Sequence, residues 1–377
     1  MLILVRMSHK LTISAIDLYR ISIPLIEPFI TSLGTDESAE NVLVRIKTAE
    51  GLTGFGECSP YMPINGESQD TCMVVGSYFA KALTGKDPLD IRHCVELMDQ
   101  IIYGNTSIKS AFDMALYDLA AQHAEVPLYH FLGGVNDKTI ITDYTVSIGE
   151  PSKMAQDALK IKEQGYPAIK VKLGRNGKTD VERIRAIRAA VGNEIPIRVD
   201  ANQGWRVNEA IDTLDGLKEF HIQYCEEPIA KWKFMKLRKV RKASVIPIMA
   251  DESCGDEHDA ERLISLGACD MMNIKLGKSG GIYKALKMVK MAEAANIHVQ
   301  IGAFMESRLA MTAFAHFALC SHVIEHYDFD TALMLKEDPV NGGISYEKNG
   351  VITIPETIGL GATISEEWLR KMEQAKP

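Results

Sequence analysis

Hydrophobic positions along this chain keep two rhythms, and the change between them falls near residue 134. Before it, residues 13–23 and 41–47 alternate apolar and polar side chains, the two-residue period of a half-buried strand. The second run continues into Gly51-Leu-Thr-Gly-Phe-Gly56, a turn-rich hairpin sequence. From Asp70 to Gly134 the apolar spacing becomes three and four residues. Ser110-Ala-Phe-Asp-Met-Ala-Leu-Tyr-Asp-Leu-Ala120 is the clearest case, and Gly133-Gly134 stops the helical stretch. Strands followed by helices predict an α+β module over residues 1–135.

Past Gly134 the pattern repeats. Residues 144–148, 168–173, 196–200, 223–227, 247–251, 271–276, 298–303 and 323–329 read as strands. Amphipathic helical periodicity fills 153–164, 181–191, 208–220 and 283–295. Eight strands alternating with helices predict an α/β fold, a (β/α)8-type barrel over residues 136–345. A doubly wound sheet usually carries Gly-x-Gly-x-x-Gly after its first strand, and this sequence has none. Residues 351–355 look like one more strand and 366–375 like a terminal helix. Residues 346–377 are therefore expected to pack back on the N-terminal module, which caps the barrel.

Length and composition agree with two domains of a soluble globular protein: 377 residues, 46% hydrophobic and 24% charged. The net charge of −8 and the lack of a long basic run exclude a phosphate-tracking nucleic-acid binder. No apolar run approaches the ~18 residues that a membrane helix needs. Met1-Leu-Ile-Leu-Val5 meets Arg6 too soon for a signal peptide, and Met7 is a candidate start beside Met1. Seven scattered cysteines without Cys-x-x-Cys suit reduced thiols in the cytoplasm better than zinc or disulfides. The expectation is a cytoplasmic, homo-oligomeric enzyme acting on a small molecule.

Barrel enzymes carry their chemistry at the C-terminal strand ends. The last polar residues of the units are Lys172, Asp200, Glu226, Asp251 and Lys275, spaced 28, 26, 25 and 24 apart, with Asp328 and Asp330 on the eighth. One strand-end aspartate could be a helix N-cap. Three carboxylates on consecutive strands point into one volume, and an all-oxygen set selects Mg²⁺ over zinc. Lys170 and Lys172 share a face of their strand, and apolar Ile169 and Val171 claim the helix-facing side. Both lysines therefore point inward, as Lys275 does between Ile274 and Leu276. A lysine buried near cations and a metal is expected to have a lowered pKa and to act as a base. Lys172 and Lys275 lie across the barrel from each other. With a metal holding a substrate carboxylate, one lysine takes the adjacent carbon's proton and the other returns one to the opposite face. That is racemisation or epimerisation; with a leaving group it becomes elimination or cycloisomerisation.

Lys170-Val-Lys172, Arg198-Val-Asp200-Ala-Asn-Gln-Gly-Trp205, Glu226-Glu227-Pro228, Ala250-Asp-Glu-Ser253 and Asn273-Ile-Lys275-Leu-Gly-Lys-Ser-Gly-Gly281 resemble the enolase superfamily. The Lys-x-Lys motif and the isolated second lysine are similar to its muconate lactonizing enzyme subgroup. Gly54-Phe-Gly-Glu-Cys-Ser-Pro60 and Ala115-Leu-Tyr-Asp-Leu119 extend the resemblance into an N-terminal capping domain. The resemblance implies one Mg²⁺ per subunit on Asp200, Glu226 and Asp251. It further implies Lys172 and Lys275 as the acid/base pair and Lys170 as a cation orienting the substrate carboxylate.

Tyr327-Asp328-Phe329-Asp330 places two carboxylates on one face of the eighth strand, either as a solvated acidic loop or as a clamp for an ammonium group. The Asp-x-Asp resembles that of the dipeptide epimerases, which implies Asp328 and Asp330 as binders of a free amino terminus. Gly302-Ala-Phe-Met-Glu-Ser307 resembles the same group, with Ala303, Phe304 and Met305 lining the substrate and Thr145 as a polar contact. Ala-Glu epimerases carry a capping-loop arginine for the glutamate side chain. Here Gly34 takes that place, among Ile30, Leu33, Tyr61, Met62 and Ile64. An anionic side chain would be buried unpaired there, so an apolar second residue is expected. The alternatives in the superfamily are an N-acylamino acid racemase, an o-succinylbenzoate synthase or a muconate-type cycloisomerase, whose substrates lack a free ammonium group. A Schiff-base aldolase needs no carboxylate trio, and a non-catalytic metal-stabilised barrel would exchange no proton.

Overall fold

In the N-terminal part of the chain, Ile13–Ile30 and Thr35–Thr48 form a long antiparallel hairpin, seen in a computed structural model that describes residues 10–375. The reading of the start, Met1 or Met7, lies outside the described residues. Ladder pairing runs from Ile13 opposite Thr48 to Ile30 opposite Thr35 and is interrupted between Pro24 and Phe29. Proline lacks the N–H that a ladder needs, and the irregularity there re-aims the hairpin tip. The tip leans on the barrel, where Leu25 bridges Leu335.

Thr53–Cys58 joins the hairpin on one edge and Gln374–Ala375 on the other. Helices Gln69–Leu83, Ile91–Ile101 and Thr106–His123 follow the third strand. The last is buried from Ser107 to Ala121, and its backbone at Ala111 and Ala115 presses against Gly56 and Gly54. A Cβ at either glycine would overlap those carbonyls, which explains the Gly54-Phe-Gly56 pattern.

Eight parallel strands follow in chain order: Tyr144–Val146, Ile169–Lys172, Ile197–Asp200, Ile222–Glu226, Ile248–Ala250, Met271–Ile274, His298–Ile301 and Ile324–Tyr327. Their sheet curls as an enolase-like barrel does. No ladder joins the first strand to the eighth among the described residues. Side chains close that seam instead: Phe329 N–H donates to Thr142 Oγ1 at 2.9 Å, and Thr145 N–H to Asp330 Oδ2 at 2.7 Å. Helices Pro151–Glu163, Gly177–Val191, Val207–Leu217, Phe234–Ala243, Glu257–Leu266, Ile282–Ala295 and Arg308–Ala318 alternate with the strands. The stretches 153–164, 181–191, 208–220 and 283–295 fall on four of these seven.

Two C-terminal expectations change. The strand expected at 351–355 is Val351–Thr353, and it pairs with Ser345–Tyr346 and Ile140–Ile141. The terminal helix stops at Lys371, and Gln374–Ala375 instead lies beside Tyr19 and Leu18. An open sheet edge offers the hydrogen bonds that a frayed last helical turn lacks. No described helix is long and apolar enough to cross a membrane.

Candidate active site

Adjacent barrel strands pair Lys172 with Asp200 and Asp200 with Glu226, so the register that builds the sheet also stacks its charged ends. Ile169 and Val171 enter the core, which leaves Lys170 and Lys172 inside the barrel. Asp200, Glu226 and Asp251 are fully buried, and one oxygen from each lies within 4.8 Å of the other two. Lys170 Nζ sits 2.6 Å from Asp328 Oδ2, 2.9 Å from Glu226 Oε2 and 3.6 Å from Asp200 Oδ2. Lys172 Nζ is 2.7 Å from Asp200 Oδ2, and Lys275 Nζ is 2.9 Å from Asp251 Oδ2. Each outer lysine also stands over a ring, Lys172 at 5.7 Å from the centre of Phe29 and Lys275 at 4.8 Å from that of Phe304.

Without a bound cation, neighbouring carboxylates dominate the lysine electrostatics. Burial by itself lowers a lysine pKa, but Asp328, Glu226 and Asp200 outweigh it and hold Lys170 well above its usual value. Lys275 is raised against its burial by Asp251 and Glu226. The carboxylates carry the complementary strain. Burial, with the charges of Asp200 and Asp251, pushes Glu226 up to about 8. Three buried carboxylates held this close call for a cation. An all-oxygen set of this kind suits a hard divalent ion.

A second ring of groups fixes these oxygens. Asn273 Nδ2 donates to Glu226 Oε1 at 2.8 Å, and Gln300 Nε2 to Glu226 Oε2 at 3.3 Å. Asn202 N–H donates to Asp200 Oδ1 at 2.8 Å. Glu227, at a left-handed φ of 34°, accepts from Asp251 N–H at 2.7 Å and from Ser253 N–H and Oγ–H. Those bonds hold the bend that aims Asp251 inward. Lys278 Nζ touches the Asp251 carboxylate and carbonyl and lies 3.0 Å from the Asn273 carbonyl.

The cavity above the lysines takes Thr145, Lys172, Lys275, Ala303, Phe304, Met305, Asp328 and Asp330 from the barrel. Asp328 and Asp330 lie in the loop after the eighth strand, which ends at Tyr327, rather than on one strand face. They still converge on the cavity because Lys170 holds one and the Thr145 N–H holds the other. Lys170 keeps Asp328 below the usual carboxylate range despite burial. Burial and the Asp328 charge drive Asp330 well above it, and Asp330 Oδ1 has no donor.

The cap contributes Phe29, Thr31, Leu33, Asp36, Tyr61 and Ile64. Of the expected loop residues, Leu33, Tyr61 and Ile64 face the cavity, whereas Ile30 lines a separate groove beside Tyr144 and Met62 is 69% exposed. Gly34 is not part of the wall; Leu33 is. Sequence reasoning passed over Phe29, Asp36, Asn273, Lys278 and Gln300. Lys278 and Asn273 stand inside the Asn273–Gly281 motif, and Gln300 shares its strand with outward Val299 and Ile301. Asp36 becomes visible only through its pairing with Phe29 across the hairpin.

Comparison with known proteins agrees with this geometry. Residues 153–368 match the family model described as Enolase C-terminal domain-like. Residues 15–133 match that of the mandelate racemase / muconate lactonizing enzyme N-terminal domain. The D-Ala-D/L-Ala epimerase of Cytophaga hutchinsonii is 56% identical over 96% of this chain and 98% of its own length. The L-Ala-D/L-Glu epimerase of Bacillus subtilis is 41% identical over 92% of this chain and 95% of its own. A crystal structure of a dipeptide epimerase from C. hutchinsonii, complexed with Mg and the dipeptide D-Ala-L-Val, superposes with a TM-score of 0.96. It shares 55% identity over 97% of this chain and 99% of that one. The chain belongs to the enolase superfamily, in its mandelate racemase / muconate lactonizing enzyme branch.

Proposed function

We propose that this chain is a magnesium-dependent dipeptide epimerase. It inverts the C-terminal α-carbon of a dipeptide by 1,1-proton transfer and favours apolar dipeptides of the Ala-Xaa type over Ala-Glu. The observation that carries the proposal is the placement of Lys172 and Lys275. Lys172 ends the second of eight strands, Lys275 directly follows the sixth, and both face one cavity beside a buried three-carboxylate cluster. The 56% identical D-Ala-D/L-Ala epimerase and the Mg- and D-Ala-L-Val-bound neighbour support it.

Asp200, Glu226 and Asp251 hold Mg²⁺ in this reading. Bound there, the ion supplies positive charge to offset the charge that grows on the substrate carboxylate as the α-proton leaves. Lys170, already among carboxylates, orients that carboxylate. With the trio neutralised, Asp251 no longer holds the Lys275 proton as strongly, and one lysine of the pair is free to act as a base. Lys172 and Lys275 then take and return the proton on opposite faces. Asp328 and Asp330 receive the substrate ammonium, and Thr145 with Ala303, Phe304 and Met305 packs around the peptide. We assign residues 1–135 to the cap, 136–345 to the catalytic barrel and 346–377 to the closing segment. The seven cysteines, all unpaired, support a cytoplasmic site of action.

The test is a dipeptide library incubated with the magnesium-loaded protein in D₂O and read by mass spectrometry. Deuterium entering the second residue of apolar dipeptides is the expected result. Exchange confined to N-acylated amino acids would favour an N-acylamino acid racemase and defeat this reading.

A further inference from the structure

One direction around the substrate has no partner in the mechanism above, and a single carboxylate stands there. A deprotonated α-carbon is planar, with three substituents in its plane. Lys172 and Lys275 take its two faces, the substrate carboxylate turns to the acidic trio, and the amide nitrogen leads toward Asp328 and Asp330. The side chain of the second residue is left with the cap wall of Leu33, Asp36, Tyr61 and Ile64, beside Phe304. Asp36 is the only charged group that the cap contributes to this wall among the described residues. It is the second residue of the strand Thr35–Thr48, directly opposite Phe29, is half-buried, and lines the cavity with Tyr61, whose ring lies 6.2 Å from that of Phe304. The two cations in the cavity, Lys172 and Lys275, are engaged by Asp200 and Asp251. Arg175 and Lys231 reach the wall from outside, bonding to the Thr31 and Ile64 carbonyls, and neither lines the cavity.

We propose that Asp36 is a specificity-determining residue whose charge shuts out acidic second residues and admits apolar or hydrogen-bond-donating ones. The proposal rests on the epimerase reading and deepens it. Exclusion of glutamate is then active, by like charge, and not merely the lack of an arginine at Gly34. A glutamate carboxylate beside Asp36 would be desolvated against a fixed negative charge with no cation to share, whereas the isosteric glutamine amide could donate to Asp36.

The discriminating pair is therefore L-Ala-L-Gln and L-Ala-L-Glu, compared by kcat/KM for deuterium incorporation with the full magnesium-loaded chain. Native protein should favour the glutamine dipeptide by roughly thirtyfold or more, the scale of a like-charge contact in a sheltered site. Asp36→Asn should shrink that ratio by about tenfold, which corresponds to ~1.4 kcal/mol. Asp36→Glu should retain it. A ratio within one preparation does not depend on how much of the variant is folded. An unchanged ratio in Asp36→Asn, or a native preference for L-Ala-L-Glu, overturns the assignment of Asp36. If native protein exchanges no dipeptide at all, L-Ala-L-Val included, it is the epimerase reading that fails, and the role of Asp36 falls with it.

Discussion

Replacing Asp330 by asparagine tests the ammonium clamp at its cleanest point. Asp328 and Asp330 both face the cavity, but Asp328 also pairs with Lys170 at 2.6 Å, and Lys170 in turn touches Glu226. Any change at Asp328 therefore disturbs the metal cluster as well. Asp330 has one other duty, accepting the Thr145 N–H at 2.7 Å, and an asparagine oxygen can keep that bond. What asparagine removes is a carboxyl that can carry negative charge beside a substrate ammonium; burial and the Asp328 charge hold it well above the usual range without such a partner, and its second oxygen has no donor. A sheltered hydrogen bond to a charged group is worth ~1.5–3 kcal/mol, so the dipeptide KM should rise roughly ten- to hundredfold while kcat changes far less. The assay is epimerisation of L-Ala-L-Val followed by α-proton exchange in D₂O, run beside N-acetyl-L-Ala-L-Val. The acetylated compound has no ammonium to lose, so it should be a poor substrate of the native protein and suffer little further in the variant. Equal losses on both substrates, or no loss on the free dipeptide, would refute the clamp.

Three further outcomes follow from the same geometry. Lys172→Ala and Lys275→Ala should each abolish epimerisation, with at most one stereoisomer of the substrate still exchanging its α-proton; full epimerase activity in either variant defeats the two-base assignment. Chelation with EDTA should remove activity and magnesium should restore it, and Glu226→Gln should raise the magnesium concentration needed; a chelated protein that keeps turning over would contradict the role of the carboxylate trio. His316, buried between the Tyr129 N–H and the Leu360 carbonyl, has its pKa lowered to about 4, chiefly by burial. The unfolded chain then binds the extra proton between pH ~6.5 and ~4, so this contribution is full above pH ~6.5 and lost as the pH falls through that window, by ~3 kcal/mol at most. Denaturant melts of native protein and His316→Gln should converge in stability as the pH drops toward 4, and a constant gap between them counts against it.

The barrel was legible because its units are local. Each strand and its following helix lie within one stretch of chain, and the spacing of Lys172, Asp200, Glu226, Asp251 and Lys275 repeats that unit. The edge strand at Gln374–Ala375 depends on partners near the other end of the chain. The hairpin tip was hidden by the irregularity between Pro24 and Phe29, which decides that Leu33 rather than Gly34 meets the cavity and that Asp36 stands opposite Phe29. How strongly carboxylates oppose the effect of burial on Lys170 depends on distances. Burial can be guessed from sequence, whereas three carboxylate oxygens within 3.6 Å of Lys170 Nζ cannot.

Charge balance ties the separate parts of the site together. Without a cation, burial and neighbouring carboxylates hold Glu226 and Asp330 above the usual carboxylate range. With a divalent ion on the trio and an ammonium beside Asp330, Asp200, Glu226, Asp251, Asp328 and Asp330 can together carry five negative charges against the four positive ones of Lys170, Lys172, Lys275 and Lys278. A divalent cation turns the deficit of one into an excess of one. A dipeptide, with its carboxylate and ammonium, leaves that excess unchanged, and it disappears if one lysine gives up its proton. Two-base proton transfer requires that same state, one lysine protonated and its counterpart neutral. An N-acylated amino acid brings a carboxylate without an ammonium and leaves Asp330 without its counter-charge. In the proposed reading, the carboxylate pair after the eighth strand therefore selects for a zwitterionic substrate, the kind that leaves the charge needed for proton transfer unchanged.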